Sequence, residues 1–124
     1  MRAQAIGFVL VGLVLMGGNC SRARVESMNE MNAGVELAQM KRFSEAAQSL
    51  EKAAAIDPSN HQAYFNLAIV QIELRSFSAA REALERAIVA KPDAAGYQEK
   101  LGTVLMELED WKAAKKAFSK ALEI

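Results

Sequence analysis

From Ser27 onward this chain repeats itself every 34 residues, and few folds accommodate such a period. Aromatic residues recur in step at Phe43, Phe77 and Trp111. Alanines recur at Ala46, Ala80 and Ala114, and again at Ala53, Ala87 and Ala121. Between them stand Leu50, Leu84 and Phe118. Small residues fall at Gly34, Ala68 and Gly102, preceded by Ala33, Leu67 and Leu101, and Pro58 and Pro92 close the first two copies. The copies span residues 27–60, 61–94 and 95–124, the third shorter than the others. A period of this length marks one supersecondary unit stacked on copies of itself.

Composition says which unit. Two prolines in 124 residues, with abundant Ala, Leu, Glu and Lys, favour helix over sheet. The pattern predicts a first helix in each copy (about Met28–Met40, His61–Leu74, Gly96–Leu108) and a second (about Glu45–Ile56, Ala79–Ala90, Lys112–Glu123). Gly34, Ala68 and Gly102 face Ala46, Ala80 and Ala114 across each pair, so the helices approach closely. A large side chain there would overpack the contact at about 1–3 kcal/mol. Leu50, Leu84 and Phe118 fill the space between neighbouring pairs, and the in-step aromatics cover the turn. Ser59 with Gln62 has capping-box spacing, and Ser44 and Ser78 are placed to cap second helices. Pro58 and Pro92 end helices because proline cannot continue one. One pair cannot bury its own apolar face, so three stacked pairs are about the minimum for stability.

This pattern resembles the tetratricopeptide repeat, a helix–turn–helix of the same length with the same alanine, aromatic and proline positions. The resemblance covers residues 27–124. It departs at Glu30 and Gln98, where only Tyr64 supplies the expected bulk, and at Gln71, where Leu37 and Leu105 supply it. The implied fold is all-α, a right-handed α-solenoid of three helix–turn–helix repeats; a signal peptide is read separately from the residues before it. The implied function is non-catalytic: a protein–protein interaction scaffold whose first helices line a concave groove. Carried onto this chain, the groove positions are Met28, Met31, Val35, Ala38 and Gln39 in the first copy. The second copy gives Gln62, Phe65, Asn66, Ile69, Ile72 and Glu73, and the third gives Gly96, Glu99, Thr103, Met106 and Glu107. Two thirds of this surface is mostly apolar and the last third acidic, which suits an apolar or amphipathic segment with some basic character. One subfamily clamps acidic C-terminal chaperone peptides with Lys, Asn, Asn, Lys and Arg. The matching places here hold Met31, Val35, Asn66, Gly96 and Lys100, so that role is rejected.

The first residues read differently. Met1 and Arg2 give a cationic start, Ala5 to Met16 is an unbroken run of twelve small or apolar residues, and no charge occurs from Ala3 to Ser21. That is the pattern of a secretory signal peptide over residues 1–19, with an uncleaved signal anchor as the competing reading. A membrane span needs about 20 residues, more than the strongly apolar run provides. Residues 20–26 then form a linker. Leu15-Met16-Gly17-Gly18-Asn19-Cys20 resembles a bacterial lipobox, although Gly17 and Asn19 stand where that pattern prefers Leu and Gly or Ala. Lipidation of Cys20 competes with ordinary cleavage after Ala23. The first is favoured, because a lone cysteine has no other role in an oxidising compartment.

Other chemistry is thinly supplied. Fifteen basic and fifteen acidic residues give zero net charge, which argues against a nucleic-acid partner. One Cys and one His make neither a disulfide framework nor a zinc-finger set, and no Gly-rich phosphate loop is present. No cofactor or metal is expected. His61 reads as an exposed first-turn residue; Lys112, Lys115, Lys116 and Lys120 read as a solvated face, with lipid headgroup contact as the minor reading. The last helix has no polar helix after it, so the chain reads as a fragment, or as a module whose end docks on a partner or a second copy. The expected setting is a bacterial cell envelope, periplasm-facing and membrane-anchored as a lipoprotein, or alternatively secreted or signal-anchored. The expected task is envelope complex assembly, with a structural repeat segment of a larger envelope protein, or a signal-anchored membrane protein, as the alternative.

Overall fold

The computed structural model describes the backbone of residues 2–124 and the side chains from residue 19 onward. The leader read at residues 1–19 therefore lies, apart from Asn19, outside the described side chains. Among the described residues there are six helices and no strand: α1 (Arg2–Gln39), α2 (Phe43–Ile56), α3 (His61–Glu73), α4 (Phe77–Ala90), α5 (Ala95–Glu107) and α6 (Trp111–Glu123). They pair as α1–α2, α3–α4 and α5–α6, and α2–α3 and α4–α5 join the pairs into one stack. Among the described residues no helix is long and apolar enough to cross a membrane.

Every first helix ends the same way. Lys41, Arg75 and Glu109 take φ near 60°, and their N–H groups reach back to the carbonyls of Ala38, Ile72 and Met106. The next N–H groups, from Arg42, Ser76 and Asp110, reach the carbonyls of Leu37, Gln71 and Leu105. These are Schellman closures, which satisfy carbonyls that a helix end leaves free. The same closure delivers residues 42, 76 and 110 as N-caps, whose carbonyls accept from Ala46, Ala80 and Ala114. The second helices consequently start at the aromatic residue, up to two residues earlier than the pattern predicts. Ser44 and Ser78 sit inside the first turn and cap nothing. At α3 the cap is Asn60, whose side chain accepts from the Ala63 N–H at 3.1 Å, while Ser59 bonds Asp57 in the preceding turn. The expected capping box is thus replaced by an asparagine one residue later. Asp110 caps α6 in the same manner.

Residues 20–26 also differ from expectation. They are helical and continuous with the first helix of the first repeat, because nothing between Asn19 and Glu26 breaks a helix. That helix is tied to α2 and to the N-cap of α3 through buried Ser27, whose hydroxyl donates to the Ala53 carbonyl at 2.7 Å and accepts from Asn60 Nδ2 at 2.9 Å.

The core is built largely of alanine. Ala46, Ala53, Ala68, Ala80 and Ala87 have no exposed surface, and Leu50 and Leu84 are fully enclosed between them. Small residues bring backbones together, and the leucines fill what remains; full burial of one leucine contributes about 1.5–3 kcal/mol. One continuous cluster runs from Met31 to Val104, and a smaller one joins Leu105, Ala114 and Ala117 under half-buried Phe118. The polar departures find partners or burial: Glu30 pairs with Lys52, and Gln98 is buried in the register of Tyr64. At the end of the stack Trp111, Leu122 and Ile124 are exposed.

Candidate functional site

The first helices meet side by side, and between α1 and α3 they leave a cavity of about 480 Å³. Val35, Ala38 and Gln39 line it from α1, and Asn66, Ile69, Val70 and Glu73 from α3. Phe43 and Leu50 close it from α2, and Lys41 stands at its edge in the Schellman turn. At 3.6 residues per turn, Asn66, Ile69 and Glu73 share one face of α3, so they line the cavity together. Its walls are apolar, its charges are one Lys and one Glu, and Gln39 and Asn66 offer both donors and acceptors. A site of this kind can hold an apolar side chain and hydrogen-bond the backbone that carries it.

The predicted groove residues separate into groups. Val35, Asn66, Ile69 and Glu73 line the cavity, as do Ala38 and Gln39. Met31 does not: only 8% of it is exposed, and it belongs to the core, because α1 turns this position toward the cluster that includes Leu50 and Ala53. Met28 is exposed one turn earlier. Gln62 is exposed, and Ile72 is half-buried against the core. Glu99, Thr103 and Met106 lie on the solvent face of α5 away from the cavity, with the Thr103 hydroxyl donating to the Glu99 carbonyl. Cys20 is an exposed free thiol on α1.

Phe65 has a partner that the repeat pattern does not reveal. Its ring stacks on Tyr97 of α5 at 4.7 Å between centroids and 23° between planes. The Tyr97 hydroxyl lies 2.6 Å from His61 Nδ1. His61 is therefore half-buried and bonded, not an exposed first-turn residue. Burial raises the Tyr97 phenol above its ordinary pKa, since a phenolate there would lose solvation. Together these rings tie α3 to α5. The copies carry Asn29 and Ala63 where the third carries Tyr97, so periodicity gives no signal for this contact. Lys41, Phe43, Leu50 and Val70 were likewise outside the predicted groove; Phe43 and Leu50 already had core roles, which the cavity shares.

A stack of helical pairs with a groove between its first helices defines a helical-repeat interaction module. The tetratricopeptide repeat profile matches residues 37–102, a second tetratricopeptide repeat profile matches residues 95–124, and the chain belongs to that family. Repeats of this family act as non-catalytic scaffolds for protein–protein interaction. Among solved structures, the tetratricopeptide repeat domain of Sgt2 from Aspergillus fumigatus superposes with a TM-score of 0.73 at 28% identity, over 79% of this chain and 65% of that one. MamA superposes at 0.77 with 24% identity, over 81% of this chain and 58% of that one. The second repeat domain of Spaghetti, solved with the HSP90 peptide SRMEEVD, gives 0.77 at 18% identity, over 82% of this chain and 94% of that one. No curated protein matches by sequence.

Proposed function

We propose that this chain is an exported adaptor, tethered to a bacterial envelope membrane through lipidated Cys20, that captures an apolar or amphipathic segment of a partner protein between α1 and α3 during envelope complex assembly. The observation that carries the groove reading is the apolar cavity of about 480 Å³ with Asn66 and Gln39 beside it. Acidic chaperone tails of the kind bound by Spaghetti are poor candidates. Of the clamp positions, Met31 is buried, Val35 is apolar, and Gly96 has no side chain, leaving Asn66 and Lys100. A carboxylate in the cavity would also meet Glu73. Cleavage and lipidation before the first repeat rest on the cationic start, the apolar run and the exposure of Cys20.

The test is a pull-down from envelope extracts with the mature chain and with Ile69→Glu, after thermal melts confirm that both fold. Ile69 is half-buried on the cavity wall, so a carboxylate there blocks the apolar pocket without entering the core. Partners retained equally by Ile69→Glu remove the groove reading. Mass spectrometry of the mature N-terminus checks the tether independently: an unmodified Cys20, or a chain beginning at Arg24, removes it.

A further inference from the structure

Gln71 breaks the repeat register at a buried position. Its register partners are Leu37 and Leu105, so the middle copy alone places a polar group at this position. It is only 9% exposed, and its Oε1 is enclosed with no hydrogen-bond partner among the described residues. An enclosed acceptor left unpaired is destabilising, a penalty that leucine would avoid. Beside Gln71 a cavity of about 500 Å³ opens between α2 and α4. Four alanines (Ala54, Ala55, Ala79 and Ala83) leave this space, and Leu67 and Tyr64 complete its apolar walls. Past Pro58 and Arg86 it continues into a second depression of about 720 Å³ beside exposed Val89. Residues 64, 67 and 71 stand on the opposite face of α3 from Phe65 and Ile69, so this surface is separate from the groove between the first helices.

The rim supplies a charge preference. Among the described residues Glu51 and Glu82, which border the first cavity, have no ion-pair partner, against the single guanidinium of Arg86 there; Glu85, in the adjoining depression, is paired with Arg81. We propose that this outer slot is a second docking site, which takes a lysine or arginine side chain from an extended segment of a partner protein. The aliphatic stem would lie along Ala54, Leu67 and Ala83, as long cationic side chains do on apolar surfaces. Its N–H groups would meet Glu51 and Glu82 at the rim, and rotation of the Gln71 side chain into the slot would let Oε1 accept from them. The slot thus matches donor, stem and charge at once.

The full chain is titrated with three acetylated and amidated peptide pools of random flanks, with the central residue fixed as Arg, Lys or Glu, and followed by NMR. The Arg or Lys pool is expected to shift the Gln71 side-chain amide and the Ala54 and Ala83 methyls, and the Glu pool to leave them in place. Gln71→Leu should weaken the Arg or Lys pool at least tenfold while raising Tm, because it removes the unpaired acceptor. Exposed Glu82→Lys should weaken it similarly at unchanged Tm, and Ile69→Glu should have no effect, which separates this site from the groove. A Gln71 amide unmoved by the cationic pools, an equal response to the Glu pool, or undiminished affinity in both Gln71→Leu and Glu82→Lys overturns the proposal.

Discussion

Replacing Gly34 and Gly102 by alanine, one at a time, separates helix propensity from close packing at a single register of the repeat. In a helix interior alanine gains about 1 kcal/mol over glycine, so in open space both changes would stabilise. Neither site is open. A Cβ on Gly34 would lie 2.7 Å from Leu50 Cγ, 3.1 Å from Leu50 Cδ2 and 3.2 Å from the Ala46 carbonyl oxygen. Leu50 is fully enclosed and the carbonyl belongs to α2, so relief requires the two helices to separate. Overpacking of that sort costs about 1–3 kcal/mol, leaving Gly34→Ala destabilised by roughly 1 kcal/mol after the propensity gain. A Cβ on Gly102 would lie 2.7–2.8 Å from Cε1, Cζ and Cδ1 of the Phe118 ring. Phe118 is half-buried on α6, and its ring can turn aside. Gly102→Ala is therefore expected to be neutral or stabilising by up to about 1 kcal/mol. The middle copy shows that the register admits a methyl group: Ala68 and Leu84 coexist there, both fully buried. Urea melts of the variants read the difference directly, and 1 kcal/mol corresponds to about 4–8 °C in Tm for a domain of this size. A Gly34→Ala protein more stable than its parent, or a larger loss at Gly102 than at Gly34, refutes the packing argument.

Ser27→Ala removes both the bond to the Ala53 carbonyl and the acceptor for Asn60 Nδ2, and should destabilise by about 1–3 kcal/mol in a denaturant melt. Glu109→Gly relieves a non-glycine residue at φ 60° in the last Schellman turn and should raise stability by about 0.5–1 kcal/mol, seen as a higher urea midpoint with unchanged slope. The Tyr97 phenol is raised by burial, so its contribution is complete below the ordinary tyrosine pKa and is lost as pH rises through the higher folded value. Tyr97→Phe should accordingly flatten the fall of Tm above about pH 10, a range set by the ordinary phenol value, and a slope identical to the parent's contradicts that assignment.

Much of the architecture was legible because its determinants are local and repeated. Ala46, Ala53, Ala80 and Ala87 are enclosed where the period places them, and Leu50 and Leu84 fill the gaps assigned to them. Each of these residues recurs at one register of the pair, so recurrence in the chain marks a recurring contact. Val35, Asn66 and Ile69 line one cavity for a related reason, since their spacing puts them on matching helix faces. Met31 was misplaced because a position at the groove's edge is exposed or buried according to how its own helix leans, which periodicity does not encode.

Sequence alone determined the helical class, the three-pair stack and the close contacts at glycine and alanine, since local propensity and a strict period leave no other way to bury those faces. Tertiary structure decided the caps at Asn60 and Asp110, the Phe65–Tyr97–His61 bridge, the continuity of α1 through residues 20–26, and the isolation of the Gln71 acceptor. These depend on side chains that differ between copies. Whether a given polar or aromatic group finds a partner is set by the one neighbour that faces it in space, and no repeating pattern specifies that neighbour.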